Sequence, residues 1–137
     1  MRLYNVKGKL VSKNVSAYLV KWDKPCKSKA QKSVKDFLRP FWNCYIVYEE
    51  FPVYGTQLKV DLLNASLKIA VEVNGPQHNK FHYFHNGQPL NYLKGIKNDW
   101  NKSEWLEKNG FKLVEINTDE IDTLSKNFFK EKFGINL

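Results

Sequence analysis

Short stretches of alternating apolar and polar residues recur along the chain and predict β-strands. Near the N-terminus, YNVKGKLV and VSAYLVKW flank the turn-forming SKN and predict a hairpin or loose arm within residues 3–22. Three further strands are predicted in CYIVYEEFPV, LKVDLL and LKIAVEV, and another in FKLVEI. Turn-forming stretches or segments of helical periodicity separate these strands, so the chain is predicted to mix helices and strands.

Three segments have the features of helices. Ser28 can cap a helix over about residues 29–39, which would end before Pro40. Its apolar face would contain Ala30, Val34, Phe37 and Leu38. The second helix is predicted over residues 93–109, with Gly110 as its stop and Trp100 and Trp105 in the core, and the third over residues 118–133.

The length and the element order predict a single domain. With 137 residues, the chain is long enough to bury one core. Residues 1–27 would form the β arm. Residues 28–137 would form an α/β core with the order helix, three strands, helix, strand, helix.

Two acidic residues interrupt the apolar strands LKVDLL and LKIAVEV. Alternation places Leu58, Val60 and Leu62 on one face of the first strand, and Leu67, Ile69, Val71 and Val73 on one face of the second. If an even-numbered loop joins the strands, Asp61 and Glu72 lie together on the opposite face. With Lys59 and Lys68 beside them, they suit Mg²⁺ and phosphate oxygens. The alternative is an antiparallel sheet with one solvated face, where both carboxylates are surface groups.

The charge of the chain indicates the class of its partner. Lysine and arginine number 22 against 14 aspartates and glutamates, which gives a formal net charge of +8. This surplus favours a polyanion such as DNA, and solubility alone is the alternative. Because only Arg2 and Arg39 are arginines, contacts with the phosphate backbone are expected rather than readout of bases. Richness in lysine and asparagine is also typical of AT-rich genomes, as in many phages.

The cellular location is predicted from apolar runs and cysteines. No apolar run approaches about 18 residues, and the first residues lack the apolar centre of a signal peptide. Cys26 and Cys44 form no paired motif and are expected to behave as small apolar side chains. We therefore expect a soluble cytoplasmic protein, acting in a bacterial host if phage-encoded, with no membrane partner.

Several short motifs occur in a recognisable order. VD lies on one predicted strand, EVNGPQH ends the next, and Asp99 to Lys102 lie on a predicted helix, followed by Trp105, Leu106, Gly110 and the strand FKLVEI. Over about residues 29–121 this pattern resembles the PD-(D/E)XK nuclease superfamily, and more narrowly its small branch related to very-short-patch-repair endonucleases and phage homing endonucleases. The resemblance implies a restriction-endonuclease-like αβββαβ core, with a mixed central sheet flanked by helices.

The resemblance also implies a chemistry. In the superfamily, an aspartate and a glutamate on adjacent strands bind Mg²⁺, for which Mn²⁺ can substitute, and water attacks a DNA phosphodiester. Asp61 and Glu72 match these two positions. The lysine expected two residues after the glutamate is replaced by Asn74. Members of the related branch use a nearby histidine, which makes His78 the first substitute and Lys102 the second.

Other residues receive supporting roles from the same resemblance and from their position. The first helix of the family often supplies a glutamate, and Gln31 occupies that position, with an ordinary helix surface residue as the alternative. Glu49 and Glu50 are rival sources of a third carboxylate, although solvated residues at the end of the strand are the favoured interpretation. Asp99 is expected either to pair with Lys102 or to support His78. DNA contacts are expected from Lys59, Lys68, Asn74, Gln77 and Lys80.

A zinc site is an alternative for the histidines. The spacing of His78, His82 and His85 suits one face of a helix. Gly75 and Pro76 precede them, however, and neither cysteine is near in sequence, so zinc is the less favoured interpretation.

The expected function is an Mg²⁺-dependent DNA endonuclease, such as a phage homing or nicking endonuclease. The alternatives are a junction resolvase or repair nuclease, a catalytically weakened DNA-binding module, and a protein-interaction domain whose basic charge is incidental. Because one site cuts one strand, cutting of both strands would most simply use a homodimer.

Overall fold

The computed structural model describes residues 1–74 and 100–137. These residues form a two-stranded antiparallel sheet, a four-stranded mixed sheet and helices. The small sheet pairs β1 (Arg2–Tyr4) with β2 (Leu10–Ser12), and the large sheet contains β3 (Val47–Pro52), β4 (Lys59–Asn64), β5 (Ile69–Asn74) and β6 (Lys112–Asn117). The helices are α1 (Lys29–Trp42), α2 (residues 100–108) and α3 (Lys126–Phe133). The predicted α/β class, with a mixed sheet and helices, is confirmed.

The large sheet has the strand order β3-β4-β5-β6. Strands β3, β4 and β5 are antiparallel neighbours, and β6 runs parallel to β5. Because Asn64 pairs with Ile69, the turn between β4 and β5 spans residues 65–68, and the expected even-numbered loop is confirmed. A parallel neighbour requires a crossover connection, and α2 belongs to the connection between β5 and β6.

Both faces of the large sheet are covered. Ala70 of β5 lies in a buried cluster with Trp105 of α2. Its neighbour Val71 lies in a second cluster, with Val34 of α1 and Phe129 of α3. Since neighbouring strand residues point to opposite faces, these clusters define an α2 side and an α1/α3 side of the sheet. The alternative of a sheet with one solvated face is therefore wrong.

The alternation of side chains breaks in both β3 and β4. Val60 and Leu63, three residues apart, lie together on the α2 side, whereas Leu62 lies on the α1/α3 side. The predicted common face for Val60 and Leu62 is therefore wrong. Tyr48 and Phe51 of β3 also share the α2 side at a spacing of three residues.

The backbone of Glu50 accounts for this break. Its φ of 50° lies in the left-handed region, which is unfavourable for a residue with a side chain. Glu50 lies between Tyr48 and Phe51, so the irregular backbone lets both aromatic rings reach the same core. The break in β4 lies beside the one in β3, because Leu62 pairs with Glu49, the residue just before Glu50.

Helix α1 begins as expected and ends later than expected. The Ser28 side chain caps it by accepting a hydrogen bond from the Gln31 backbone amide at 3.1 Å. Pro40, predicted to lie just beyond the helix, is inside its last turn, and the helix continues to Trp42. A proline there removes only one backbone hydrogen bond, while the extra turn places Trp42 in the α1/α3-side core at 1% exposure.

The C-terminal segment forms two elements and not the single helix predicted over residues 118–133. A 3-10 helix covers Thr118–Thr123, and α3 begins at Lys126. Ser125 caps α3 by accepting a hydrogen bond from the Phe128 amide at 3.0 Å. The prediction was wrong because the apolar periodicity runs on across residues 118–133 and does not show that Ser125 starts a new helix.

The end of α2 was predicted correctly at Gly110. This glycine has a φ of 80°, and its amide donates to the Glu107 carbonyl at 3.0 Å. Trp105 is buried, as expected, but Trp100 is 63% exposed, so its assignment to the core is wrong. The part of this helix predicted before residue 100 lies outside the described residues.

The N-terminal segment is part of the core. The predicted hairpin, with its turn at SKN between YNVKGKLV and VSAYLVKW, is wrong. The observed hairpin pairs β1 with β2 around residues 5–9, inside the first predicted strand, and Ser16–Tyr18 of the second predicted strand form a 3-10 turn. Leu3 and Val15 are buried on the α2 side of the large sheet. The arm is therefore packed against the domain.

Candidate active site

Acidic residues lie in one row across the four strands of the large sheet. Glu72 on β5 pairs with Glu115 on β6. The β4–β5 pairing ends at Leu62 and Val71, so Asp61 and Glu72 are the next residues on the two strands. In the β3–β4 register, Glu49 pairs with Leu62 and Phe51 pairs with Val60, so Glu50 lies opposite Asp61. The row therefore runs Glu50, Asp61, Glu72, Glu115.

Burial distinguishes the members of this row. Asp61 is 3% exposed and is the most buried of them. The side chain of Glu72 is 12% exposed and that of Glu50 is 33% exposed, whereas Glu115 is on the surface. Asp61 Oδ2 accepts a hydrogen bond from the Val73 amide at 2.9 Å. A buried carboxylate is costly unless its charge is compensated, so Asp61 and Glu72 are not ordinary solvated groups.

The pKa of Glu72 is strongly raised. Burial and, after it, the charge of Asp61 raise this pKa to about 8, while Lys102 acts in the opposite direction. Without a bound cation, burial and the neighbouring Asp61 therefore favour the protonated form of the Glu72 carboxyl. A cation between the two carboxylates would favour the ionised form.

Helix α2 brings Lys102 to the carboxylates. Its Nζ donates a hydrogen bond to Glu72 Oε1 at 3.0 Å, and its side chain is 20% exposed. Asn74, in the position of the family's lysine, instead donates from Nδ2 to Glu115 Oε2 at 3.3 Å. Of these two residues, only Lys102 supplies a positive charge to the buried pair.

Lys27 is a second cation at the site, and it was not among the predicted site residues. Its Nζ lies 3.3 Å from Asp61 Oδ1 and 3.8 Å from Glu50 Oε1. Burial alone would lower the pKa of Lys27, but the charges of Asp61 and Glu50 offset this and the pKa is raised. Lys27 directly precedes Ser28, so the start of α1 fixes its position. No sequence periodicity marks that position.

Gln31 reaches the site through Glu50. Its Nε2 donates to Glu50 Oε1 at 3.1 Å, and the residue is only 2% exposed. The other end of the amide, Oε1, is buried and has no hydrogen-bond partner among residues 1–74 and 100–137. A buried acceptor without a donor is unfavourable, so a group that satisfies it is expected during function.

The two candidate glutamates of β3 have different surroundings. Glu49 binds the fully buried Lys35, with Oε2 2.7 Å from Nζ, and accepts from the Lys21 amide at 3.1 Å. Glu50 faces Asp61 and Gln31. Glu50 is therefore the β3 glutamate that belongs to the site, whereas Glu49 links β3 to α1 through its ion pair with Lys35.

A basic groove opens beside Glu50. It has a volume of ≈ 530 Å³, and four lysines contribute to its lining: Lys21, Lys24, Lys27 and Lys59. The pKa of Lys24 is lowered, mainly by its hydrogen bond to Lys21 and the charge of Lys21. Because like charges crowd in the groove, an anion there would relieve their repulsion. Lys59 is thus placed near the site as expected.

Lys68 is not placed beside the carboxylates. It lies in the turn before β5 with a φ of 58°, and its Nζ lies 5.5 Å from the centre of the Phe111 ring. Leu67, predicted on the apolar face of β5, lies in the same turn and is 41% exposed. The strand begins two residues later than its apolar pattern suggested.

Several predicted site residues lie outside the described residues: Gln77, His78, Lys80, Asp99, and the histidines of the zinc alternative, His82 and His85. Within residues 1–74 and 100–137, no group of three or more histidine, cysteine or acidic side chains is arranged to hold a metal ion. The Lys27 ammonium lies between Asp61 and Glu50. The oxygens of these two carboxylates, of Glu72 and of Gln31 nevertheless fit Mg²⁺, which prefers carboxylate and carbonyl oxygen.

Comparison with protein-family models, with curated proteins and with solved structures finds no match to this chain. Among the described residues, no helix has both the length and the apolar character needed to cross a membrane.

Proposed function

We propose that the protein is an Mg²⁺-dependent DNA endonuclease with a restriction-endonuclease-like core. The observation that supports this most strongly is the placement of Asp61 close to Glu72 on adjacent strands, where both carboxylates are largely buried. Two such carboxylates form a site for a hard cation and leave positions for water and a phosphate oxygen.

The order of elements supports the same proposal. In the described residues α1 is followed by β3, β4 and β5, then by α2 and β6, with the last strand parallel to β5. This order agrees with the αβββαβ core that the motif resemblance implies. Asp61 and Glu72 lie on its second and third strands, as that resemblance requires.

The basic groove supports DNA as the substrate. Lys21, Lys24 and Lys59 line it, and Lys27 connects it with Asp61. Lysine contacts phosphate as a point charge and carries little sequence information. The proposed substrate contact is therefore with the phosphate backbone, which the groove would lead towards the carboxylates.

Each residue has a proposed role in phosphodiester hydrolysis. Asp61 and Glu72 would hold the Mg²⁺, which when bound supplies electrostatic stabilisation of the phosphate in the transition state. Lys102 would orient Glu72 and bind a phosphate oxygen. His78 remains the first proposed proton-transfer residue, with Lys102 as the second. Since one site cuts one strand, we propose that duplex cutting requires two copies of the chain.

The decisive experiment is cleavage of supercoiled, linear, branched and mismatched DNA with Mg²⁺ and with a chelator. Asp61→Asn and Glu72→Gln should each reduce cleavage roughly a thousandfold while DNA binding persists. Glu115→Gln is the matched control, because Glu115 belongs to the same row but lies on the surface. Cleavage by folded Asp61→Asn at the wild-type rate would overturn the proposal.

A DNA-binding module without catalysis is the second candidate. It is favoured by Asn74 in the place of the expected lysine and by the ammonium groups of Lys27 and Lys102, which lie beside Asp61 and Glu72 without a metal. This candidate predicts salt-sensitive DNA binding, no cleavage with Mg²⁺ or Mn²⁺, and unchanged DNA affinity on addition of either ion.

A further inference from the structure

We propose that Glu50 is a third cation-binding carboxylate of this site, and that the Lys27 ammonium occupies the position between Glu50 and Asp61 until a divalent cation replaces it. This inference rests on the proposed metal site at Asp61 and Glu72. It selects Glu50, and not Glu49, as the third carboxylate, and it adds Lys27 as a competing side chain that the sequence did not predict.

The first argument is the position of Glu50. The register places it opposite Asp61, and its carboxylate is turned towards α1, where Gln31 Nε2 binds it. Its neighbour Glu49 is already committed to the buried Lys35 ammonium at 2.7 Å. Glu50 is therefore the acidic side chain of β3 that can share a cation with Asp61.

The second argument is the orphan acceptor on Gln31. Because Nε2 must face the Glu50 carboxylate, the orientation of the amide is fixed and Oε1 points away from Glu50. This oxygen is buried and has no donor within the described part of the chain. Mg²⁺ keeps several of its waters, and such a water would donate to Oε1 while the ion binds the carboxylates. Gln31 would thus act as a positioning residue for the hydrated ion.

The third argument is the Lys27 ammonium itself. It approaches Asp61 Oδ1 at 3.3 Å and Glu50 Oε1 at 3.8 Å, so a positive charge already lies between the two carboxylates. The Lys27 side chain is 63% exposed, and it also lines the basic groove. The flexible side chain can therefore leave towards the groove, where it would meet a DNA phosphate.

Competition between the ammonium and a divalent cation has a measurable consequence. Both require the same oxygens, and two cations so close would repel each other. Removing the ammonium should tighten cation binding, whereas removing the Glu50 charge should weaken it. If Lys27 formed only a surface ion pair, its removal would leave cation affinity unchanged.

The test is calorimetric titration of the DNA-free protein with Mg²⁺ and with Mn²⁺. Lys27→Gln should tighten binding by roughly threefold to tenfold, as expected for loss of a partly exposed competing charge. Lys29→Gln is the matched control, since it removes the same charge two residues away and should leave the affinity unchanged. Glu50→Gln should weaken binding about tenfold or more, and Glu107→Gln, on the surface of α2, should not.

The outcomes separate this inference from the proposed function. If the wild type binds the ions and Asp61→Asn abolishes binding, but Lys27→Gln binds no more tightly than Lys29→Gln, only the present inference fails. It also fails if Glu50→Gln behaves like Glu107→Gln. If neither the wild type nor Lys27→Gln binds either ion, the metal site and this inference fail together.

Discussion

The carboxyl groups of Asp61 on β4 and Glu72 on β5 lie close enough to interact, and the charge of Asp61 is, after burial, the main reason why the pKa of Glu72 is raised to about 8. In the absence of a divalent cation, the ionised form of each carboxyl group is therefore disfavoured by the charge of the other. Lys27, just before α1, lies beside Asp61, and Lys102 on α2 lies beside Glu72. Their positive charges offset the repulsion between the two carboxylates only in part.

Glu72→Gln should remove a pH-dependent loss of stability in cation-free protein. The folded state keeps the Glu72 proton up to about pH 8, whereas the unfolded chain releases it near the ordinary value of 4.5. The wild type should therefore lose stability as pH rises between these values, by up to roughly 1.4 kcal/mol per pH unit from this group. The glutamine variant lacks this contribution, so its advantage should grow towards pH 8 and then level off. Urea unfolding from pH 4 to 9 with a chelator measures the difference, and parallel curves would contradict it.

Lys102→Met should move the pH dependence of Mg²⁺-dependent cleavage to higher pH. The charge of Lys102 and its hydrogen bond both lower the Glu72 pKa, so their loss should raise it further. If Lys102 also transfers a proton or binds the scissile phosphate, the maximal rate should fall by roughly a hundredfold. If His78 transfers the proton, His78→Ala should show that loss and Lys102→Met should shift the profile alone. Unchanged profiles in both variants would exclude both assignments.

Glu50→Gly should be more stable than Glu50→Ala. Alanine keeps the unfavourable left-handed backbone of φ 50°, whereas glycine adopts it freely, so a difference of about 1 kcal/mol is expected. Lys68, with a φ of 58°, provides the matched pair of substitutions in a turn remote from the carboxylates. Thermal unfolding of the four variants measures both differences. If Glu50→Gly were no more stable than Glu50→Ala while the Lys68 pair differed, the backbone of Glu50 would not be the strained feature inferred here.

The double variant Lys21→Ala, Lys24→Ala should weaken DNA binding to a similar extent for every duplex sequence. Both side chains line the groove, and each lost phosphate contact should reduce the slope of log affinity against log salt by about one. Lys126→Ala, Lys130→Ala removes the same charge from α3 and is the control. DNA binding titrations at several salt concentrations test this. Equal slopes for the two double variants would place the DNA elsewhere.

Local patterns predicted the centre of the candidate site well. The β4–β5 hairpin with its even-numbered turn brings Asp61 and Glu72 close together, because strand register across a short hairpin is a local property, although the predicted alternation of β4 fails around Asp61. The Ser28 cap and the Gly110 stop are local in the same sense. The expectation that the helix after β5 packs beside the sheet agrees with the contact between Lys102 and Glu72.

The remaining features depend on long-range packing or on exceptional backbone geometry. Glu115 joins the acidic row only through the parallel register of β5 and β6, which no local pattern specifies. The left-handed Glu50 has no compositional marker, since glycine or asparagine would be expected there. Lys27 lies in an irregular segment that has no periodicity. Trp100 was wrongly assigned to the core, because an aromatic side chain does not by itself show which face of a helix is buried.

The N-terminal strand also determines the position of a residue far from it in sequence. The carbonyl of Tyr4 accepts hydrogen bonds from Trp105 Nε1 at 2.6 Å and from Asn109 Nδ2 at 3.1 Å, and the Tyr4 amide donates to Asn109 Oδ1 at 2.8 Å. Trp105 lies one turn after Lys102 and Asn109 directly follows α2, so these bonds fix the C-terminal half of the helix. The position of the Lys102 ammonium at Glu72 therefore depends on the N-terminal strand, so removal of that strand should displace Lys102 from Glu72.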